Sequence, residues 1–122
     1  MKRILLALLF TCSTNVFATN IAPSTQQEIQ YLLKALESSD CKFNRNGSWY
    51  GATEASAHLQ KKYKYLADHN YISTTESFID IGASKSSASG KAYEVKCGDS
   101  KPVESKQWFI NTLKTYRTEK HD

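Results

Sequence analysis

Residues 25–50 read TQQEIQYLLKALESSDCKFNRNGSWY, and this stretch carries both of the signals that set the fold class. It begins with Thr25-Gln26-Gln27-Glu28, which fits a capping box, and continues with leucines and an isoleucine at helical spacing. Its second half contains Asn46-Gly47, the dipeptide most typical of a tight two-residue hairpin turn. The stretch therefore predicts a helix over 25–38 followed by a small β-hairpin.

The rest of the chain extends this pattern to about four helices and one or two short strand pairings. Thr53 opens a second helix that runs to about residue 69, and Ser73-Thr74-Thr75-Glu76 fits a capping box for a third. Residues 91–97 alternate between apolar and polar side chains and predict a strand. A fourth helix with a broad apolar face is predicted from Val103 to about residue 119. We expect a small, mostly helical α+β domain.

The first 18 residues have the organisation of a secretory signal peptide. A basic start is followed by the apolar run Ile4 to Phe10 and by residues small enough for cleavage after Ala18. The run is far shorter than the roughly 20 residues that cross a bilayer as a helix, so no integral membrane span is expected. We expect an exported protein with a single domain over 19–122. The alternative is a lipoprotein in which Cys12 is the lipidated residue.

Removal of this leader changes the charge and the cysteine count. Lys2 and Arg3 are lost, which halves the formal net charge of +4 and leaves no electrostatic case for nucleic-acid binding. The remaining cysteines, Cys41 and Cys97, are expected to form a disulfide in an oxidising compartment, worth about 4 kcal/mol. A reactive or metal-binding thiol pair would need a CxxC pattern or a nearby histidine, and neither is present. We expect no metal and no cofactor.

Glu54 and His58 stand four residues apart on the predicted second helix and therefore lie on one side of it. A carboxylate beside an imidazole raises the pKa of the histidine and orients its ring, which suits acid–base chemistry. The alternative is an ordinary pair that satisfies a half-buried histidine. Spacing alone favours this second interpretation.

Asp80 forms a like-charged pair with Glu76, one helical turn away, which by itself costs about a few tenths of a kcal/mol. Glu76 is compensated by its place in the first turn of a helix. Asp80 is therefore expected to have a basic partner, with the candidates Arg45, Lys85 and Lys91.

Ser84 to Gly90 is a run of small residues that leads to Lys91. It matches neither the phosphate-loop pattern GxxxxGK[ST] nor the SxxK pattern of serine nucleophiles. The hydroxyl and backbone N–H groups beside Lys91 can nevertheless cradle an anion or hydrogen-bond a sugar. The alternative is a flexible loop whose serines cap the neighbouring elements.

Residues 61–65, Lys-Lys-Tyr-Lys-Tyr, interleave cations with aromatic side chains. The pattern resembles a nucleic-acid contact strip. At helical spacing it is more simply a solvated face, with Lys61, Lys62 and Lys64 largely outward and the tyrosines turned toward the core. No nucleic-acid partner is expected.

Four segments, taken in order, resemble a known family. They are FNRNG at 43–47, EASAHL at 54–59, TESFID at 75–80 and ASKSSASGKAY at 83–93. Together they are similar to the YfeK-like family of small exported bacterial proteins, a domain of unknown function. The similarity covers about residues 25–117. Ala92 departs from the proline that this family usually has before the tyrosine.

The resemblance implies a periplasmic protein of Gram-negative bacteria and brings no activity with it. The Cys41–Cys97 pair lies outside the motif of the family. The motif positions present here are Arg45, Asn46, Gly47, Glu54, His58, Glu76, Asp80, Ser86, Ser87, Gly90, Lys91 and Tyr93.

Three hypotheses follow for the function. The first is a non-catalytic binding or interaction module for an envelope ligand or a partner protein. The second is a cell-envelope hydrolase with His58 as base, Glu54 as its orienter and a serine of segment 84–89 as nucleophile. The third is that the motifs only specify the fold. The candidate ligand- or partner-binding residues are Arg45, Glu54, His58, Asp80, Ser86, Ser87, Ser89 and Lys91.

Overall fold

The computed structural model describes residues 21–120, so the predicted signal peptide and Cys12 lie outside the described residues. Four helices and four strands within this range confirm the α+β class. In chain order they are α1 (Pro23–Ser38), β1 (Cys41–Arg45), β2 (Ser48–Gly51), α2 (Ala52–Asp68), α3 (Thr75–Gly82), β3 (Glu94–Cys97), β4 (Val103–Glu104) and α4 (Ser105–Lys120). Across residues 21–120, no helix combines the length and the apolar character needed to span a bilayer.

The strands form one antiparallel sheet in the order β2-β1-β3-β4. Strands β1 and β2 are joined by the predicted hairpin turn, where Asn46 has a φ of 54° and Gly47 a φ of 85°. Such a turn needs two residues in the left-handed region, which asparagine and glycine adopt at least cost. Cys41 of β1 lies opposite Cys97 of β3, and the two form the predicted disulfide.

The core lies between the four helices and one face of the sheet. Burying one large aliphatic or aromatic side chain stabilises a fold by about 1.5–3 kcal/mol, so a few such residues dominate the packing. The large side chains with the least exposure come from every layer: Ile29, Leu32 and Leu36 of α1, Phe43 and Val95 of the sheet, Leu59 of α2, Phe78 of α3 and Phe109 of α4.

The capping box predicted at the start of α1 is wrong. The helix begins at Pro23, after Ala22, and no side chain caps it. Proline suits the first helical turn because its φ is already helical and its missing N–H would have no partner there. The Glu28 carboxylate instead accepts hydrogen bonds from Thr75 Oγ1 at 2.6 Å and from Arg117 Nε at 2.7 Å. It therefore joins α1 to α3 and α4.

The capping box of α3 lies one residue later than predicted. The hydroxyl of Thr74 accepts from the Ser77 backbone N–H at 3.0 Å, and the Ser77 hydroxyl accepts from the Thr74 N–H at 3.1 Å. Serine thus takes the place that the pattern assigned to Glu76. The Glu76 carboxylate is left to pair with Arg117 Nη1 at 2.6 Å.

The C-terminal strands also differ from expectation. Strand β3 begins at Glu94, later than the predicted Lys91, and Ala92, two residues before it, pairs with Lys85 in an isolated bridge. Val103 and Glu104, predicted as helical, form the edge strand β4. Helix α4 consequently starts at Ser105, whose buried hydroxyl donates to the Ala83 carbonyl at 2.6 Å.

Candidate functional site

Two adjoining pockets lie along α2, and we call them together the α2 cleft. The first, of about 220 Å³, lies between α2 and the β1–β2 hairpin. The second, of about 390 Å³, lies between α2 and the segment 86–93. Arg45, His58 and Lys61 line both pockets, so the two form one continuous site.

The positions of the cleft residues follow from helical geometry. His58, Lys61, Lys62 and Tyr65 lie at i, i+3, i+4 and i+7 of α2, a spacing that places all four side chains on one face. Arg45 reaches the same face from the last residue of β1, immediately before the hairpin turn.

The cleft carries an excess of positive charge. Its lining contains Arg45, Lys61 and Lys62, whereas Glu54 is the single carboxylate among the residues that line the two pockets. A concave surface lined by charge of one sign concentrates the field and attracts ions of the opposite sign. The cleft therefore favours an anionic ligand.

His58 is half-buried in the centre of the cleft. Its Nε2 atom is buried and has no hydrogen-bond partner within residues 21–120. Burial lowers the pKa of His58, and the charges of Arg45, Lys62 and Lys61 lower it further. The expectation that Glu54 raises this pKa is wrong, because the surrounding cations and the loss of hydration outweigh the carboxylate. His58 is accordingly neutral at pH 7.

Lys62 also differs from the sequence-based expectation, which placed it outward. Its Nζ donates to the Lys85 carbonyl at 2.8 Å and to the Tyr93 hydroxyl at 3.3 Å, and it lies 5.0 Å from the centre of the Tyr93 ring. Burial, with a smaller contribution from Arg45, lowers the pKa of Lys62 to about 8. The side chain thus lies half-buried across the second pocket.

The serine segment is held in place by the hairpin turn. The Asn46 side chain donates to Ser86 Oγ at 3.4 Å and accepts from Ser89 Oγ at 2.5 Å. Within the segment, Ser86 Oγ accepts from the Ser89 N–H, and Ser89 Oγ accepts from the Lys91 N–H. Ser86 is buried, whereas Ser87 is exposed where it lines the second pocket. The two bonded hydroxyls therefore order the wall of the cleft.

Three of the predicted site residues, Asp80, Ser89 and Lys91, lie outside the pocket lining. Asp80 sits on α3 and pairs with Lys106 of α4 at 3.1 Å, so the expected partners Arg45, Lys85 and Lys91 are wrong. Both partners are largely exposed, and such a pair contributes little to stability. The exposed side chain of Lys91 lines neither pocket of the cleft.

Sequence reasoning missed Lys61, Lys62 and Tyr65 as site residues. The signal was present, because all three follow His58 at helical spacing. The two lysines were predicted to face solvent and Tyr65 to face the core, because the segment 86–93 that forms the other wall of the pocket is distant in sequence. Tyr65 is in fact exposed.

Among residues 21–120, no three His, Cys, Asp or Glu side chains come close enough together to hold a metal ion. Apart from the Glu54 carboxylate, the polar side chains that line the cleft carry nitrogen atoms or hydroxyls, which suit an anion or a hydroxylated ligand.

Comparison with known proteins gives a family and no activity. Residues 23–117 match the model of a family described as a family of unknown function, DUF5329. The chain is also 36% identical over 94 residues to the "Uncharacterized protein YfeK" of Salmonella typhimurium. The matched stretch covers 76% of this chain and 77% of that relative. No solved structure matches the chain.

Proposed function

We propose a binding role for this chain. The chain belongs to DUF5329, a family of unknown function, and this membership confirms the YfeK-like resemblance. In this proposal the protein is a non-catalytic module of the periplasm. Its α2 cleft binds an anionic ligand of the cell envelope through phosphate or carboxylate oxygens.

The observation that carries the proposal is the convergence of three cations on one concave surface. Arg45 comes from β1, and Lys61 and Lys62 come from α2, so two separate elements supply the charge. A guanidinium can bind a phosphate or carboxylate through two parallel hydrogen bonds, which gives geometric selectivity in addition to charge. The two lysines add point charges on the facing wall.

The hydrolase hypothesis lacks the contact that it requires. A serine nucleophile is activated by a base within hydrogen-bond reach. The His58 Nε2 has no hydrogen-bond partner among residues 21–120, and the hydroxyl of Ser89 is bonded to Asn46. Ser84 likewise donates its hydroxyl to the Ile79 carbonyl. This geometry favours binding over serine hydrolysis.

The proposal is tested by titrating the purified ¹⁵N-labelled protein with inorganic phosphate and following the amide resonances. We expect shifts that centre on Arg45 and Lys61. Arg45→Gln and Lys61→Gln should each weaken binding about tenfold or more, the loss of one charge-assisted hydrogen bond or pair. The matched control is Lys64→Gln, an exposed lysine of α2 that lines neither pocket.

Thermal melting of each variant separates lost binding from lost folding. An equal loss of affinity in Lys64→Gln would mean that general surface charge, not the cleft, attracts phosphate.

The periplasmic location is tested by fractionating cells and sequencing the N-terminus of the protein. The protein recovered from the periplasmic extract should begin at Thr19. A lipid-modified N-terminal Cys12 in the membrane fraction would instead support the lipoprotein alternative.

A further inference from the structure

Lys62 is unlike the other lysines of residues 21–120, because it is half-buried and the others are all exposed. Its amine is fixed by two oxygen atoms from a different part of the chain, the Lys85 carbonyl and the Tyr93 hydroxyl. The same side chain lines the second pocket of the α2 cleft. A bound molecule there would meet an amine already held in one position.

Among residues 21–120, no carboxylate pairs with this amine. The ionisable groups around it are Arg45 from the hairpin, His58 and Lys61 from α2, and the Tyr93 hydroxyl from the segment before β3. Burial beside other cations favours the neutral form of a lysine, the form that acts as a nucleophile.

We propose that Lys62 captures an anionic aldehyde or ketone in the α2 cleft by forming a reversible imine. The lone pair of the neutral Nζ bonds to the carbonyl carbon, and the carbonyl π pair moves to oxygen, which takes up the proton that nitrogen gives off. The resulting carbinolamine loses its hydroxyl and the second nitrogen proton as water. A C=N bond remains, and the addition of water reverses each step without any oxidant or reductant.

The surroundings of Lys62 suit both halves of this reaction. The Tyr93 hydroxyl, 3.3 Å from Nζ, is placed to pass a proton to the departing oxygen. Arg45 and Lys61 hold the anionic group in the adjoining space, and this part of the inference rests on the proposed function. The ligand class is therefore a small molecule that carries both a carbonyl group and a phosphate or carboxylate.

Pyridoxal 5′-phosphate is the probe, because it carries an aldehyde and a phosphate on one small ring. The purified protein is incubated with it at pH 7.5, the imine is trapped with cyanoborohydride, and the labelled peptides are mapped by mass spectrometry. Because the pKa of Lys62 is about 8, its neutral fraction exceeds that of an ordinary lysine by about a hundredfold. A less basic amine is a weaker nucleophile, which offsets part of this gain in the neutral fraction. We therefore expect Lys62 to be labelled at least about tenfold faster than Lys64.

Lys62→Arg is the matched variant, since it keeps the positive charge and removes the reactive amine. It should lose the fast label, whereas Lys64→Arg should leave the labelling of Lys62 unchanged. Labelling of Lys62 at the rate of the exposed lysines would overturn the inference.

Two further measurements distinguish this inference from the proposed function. If phosphate binds at Arg45 and Lys61 and Lys62 is still not labelled preferentially, the imine proposal fails and the anion-binding proposal stands. Pyridoxal without its phosphate tests the reverse case. If it labels Lys62 selectively, and pyridoxal 5′-phosphate labels Lys62 no faster and is not slowed by inorganic phosphate, the reactive amine stands and the anion-binding cleft fails.

Discussion

Reduction of the Cys41–Cys97 disulfide should remove a large part of the stability of this protein. The bridge closes a loop with a sequence separation of 56 residues. By the chain-entropy estimate, a loop of this length destabilises the unfolded state by about 4 kcal/mol. A domain of this size is typically stable by only about 5–15 kcal/mol, so the loss is a substantial fraction.

The position of the bridge in the sheet shows which pairing depends on it. The bridge joins Cys41 and Cys97, which face each other at one end of the β1–β3 pairing. Two residues further along these strands, Phe43 faces Val95, and both of these side chains lie in the core. Cys41 is itself buried, so a Cys41→Ala/Cys97→Ala variant also loses core contacts. We expect the free energy of unfolding of that variant to be up to about 1 kcal/mol lower than that of the reduced wild-type protein.

The assay is urea denaturation followed by circular dichroism, with and without a phosphine reductant. With a slope of about 1–1.5 kcal/mol per molar urea, a loss of about 4 kcal/mol lowers the midpoint by roughly 3 M. Thiol titration checks that reduction is complete. A midpoint that moves by less than about 0.5 M would refute the reasoning, because it would show that the bridge does not restrict the unfolded chain as assumed.

Two further changes test the packing of the helices. Arg117 lowers the pKa of Glu28, so the stability from this pair is present above about pH 4.5 and is lost as the pH falls through the folded-state value. Glu28→Gln should cost about 1–2 kcal/mol at pH 7 and flatten the acid limb of stability, measured by melting from pH 3 to 7. A Cβ at Gly82 would lie 2.8 Å from the Phe78 ring, so Gly82→Ala should cost about 1–3 kcal/mol, whereas Gly51→Ala meets open space and should change the melting temperature little. Equal melting temperatures for the two glycine variants would contradict the close approach.

The parts of the fold that the sequence predicts correctly are those set by short-range signals. Asn46-Gly47 specifies its turn because the required backbone angles suit these two residues and few others. Val103-Glu104 is the opposite case. A two-residue strand has no periodicity to detect, and its pairing with β3 arises from contacts between separate segments.

The candidate site was predictable only in part, for a related reason. His58 and Arg45 were found as motif residues and do line the cleft. Lys62 was predicted to face solvent because helical periodicity describes the faces of one helix and not the distant segments that pack against it. Its half-buried position depends on the Lys85 carbonyl and Tyr93, which follow α3 in the chain and reach α2 only through tertiary contacts.

The motif residues outside the proposed binding surface still have a physical reason to accompany those that form it. Asn46 adopts a left-handed conformation in the turn and bonds to both Ser86 and Ser89, so one residue couples the hairpin to the facing wall of the cleft. Arg45 is its immediate neighbour in the chain, so we expect this coupling to help position the guanidinium. A change at Asn46 should therefore weaken anion binding without removing any charge. Under the proposed function, the fold-specifying and the ligand-binding interpretations of the motif would apply to different residues of one structure.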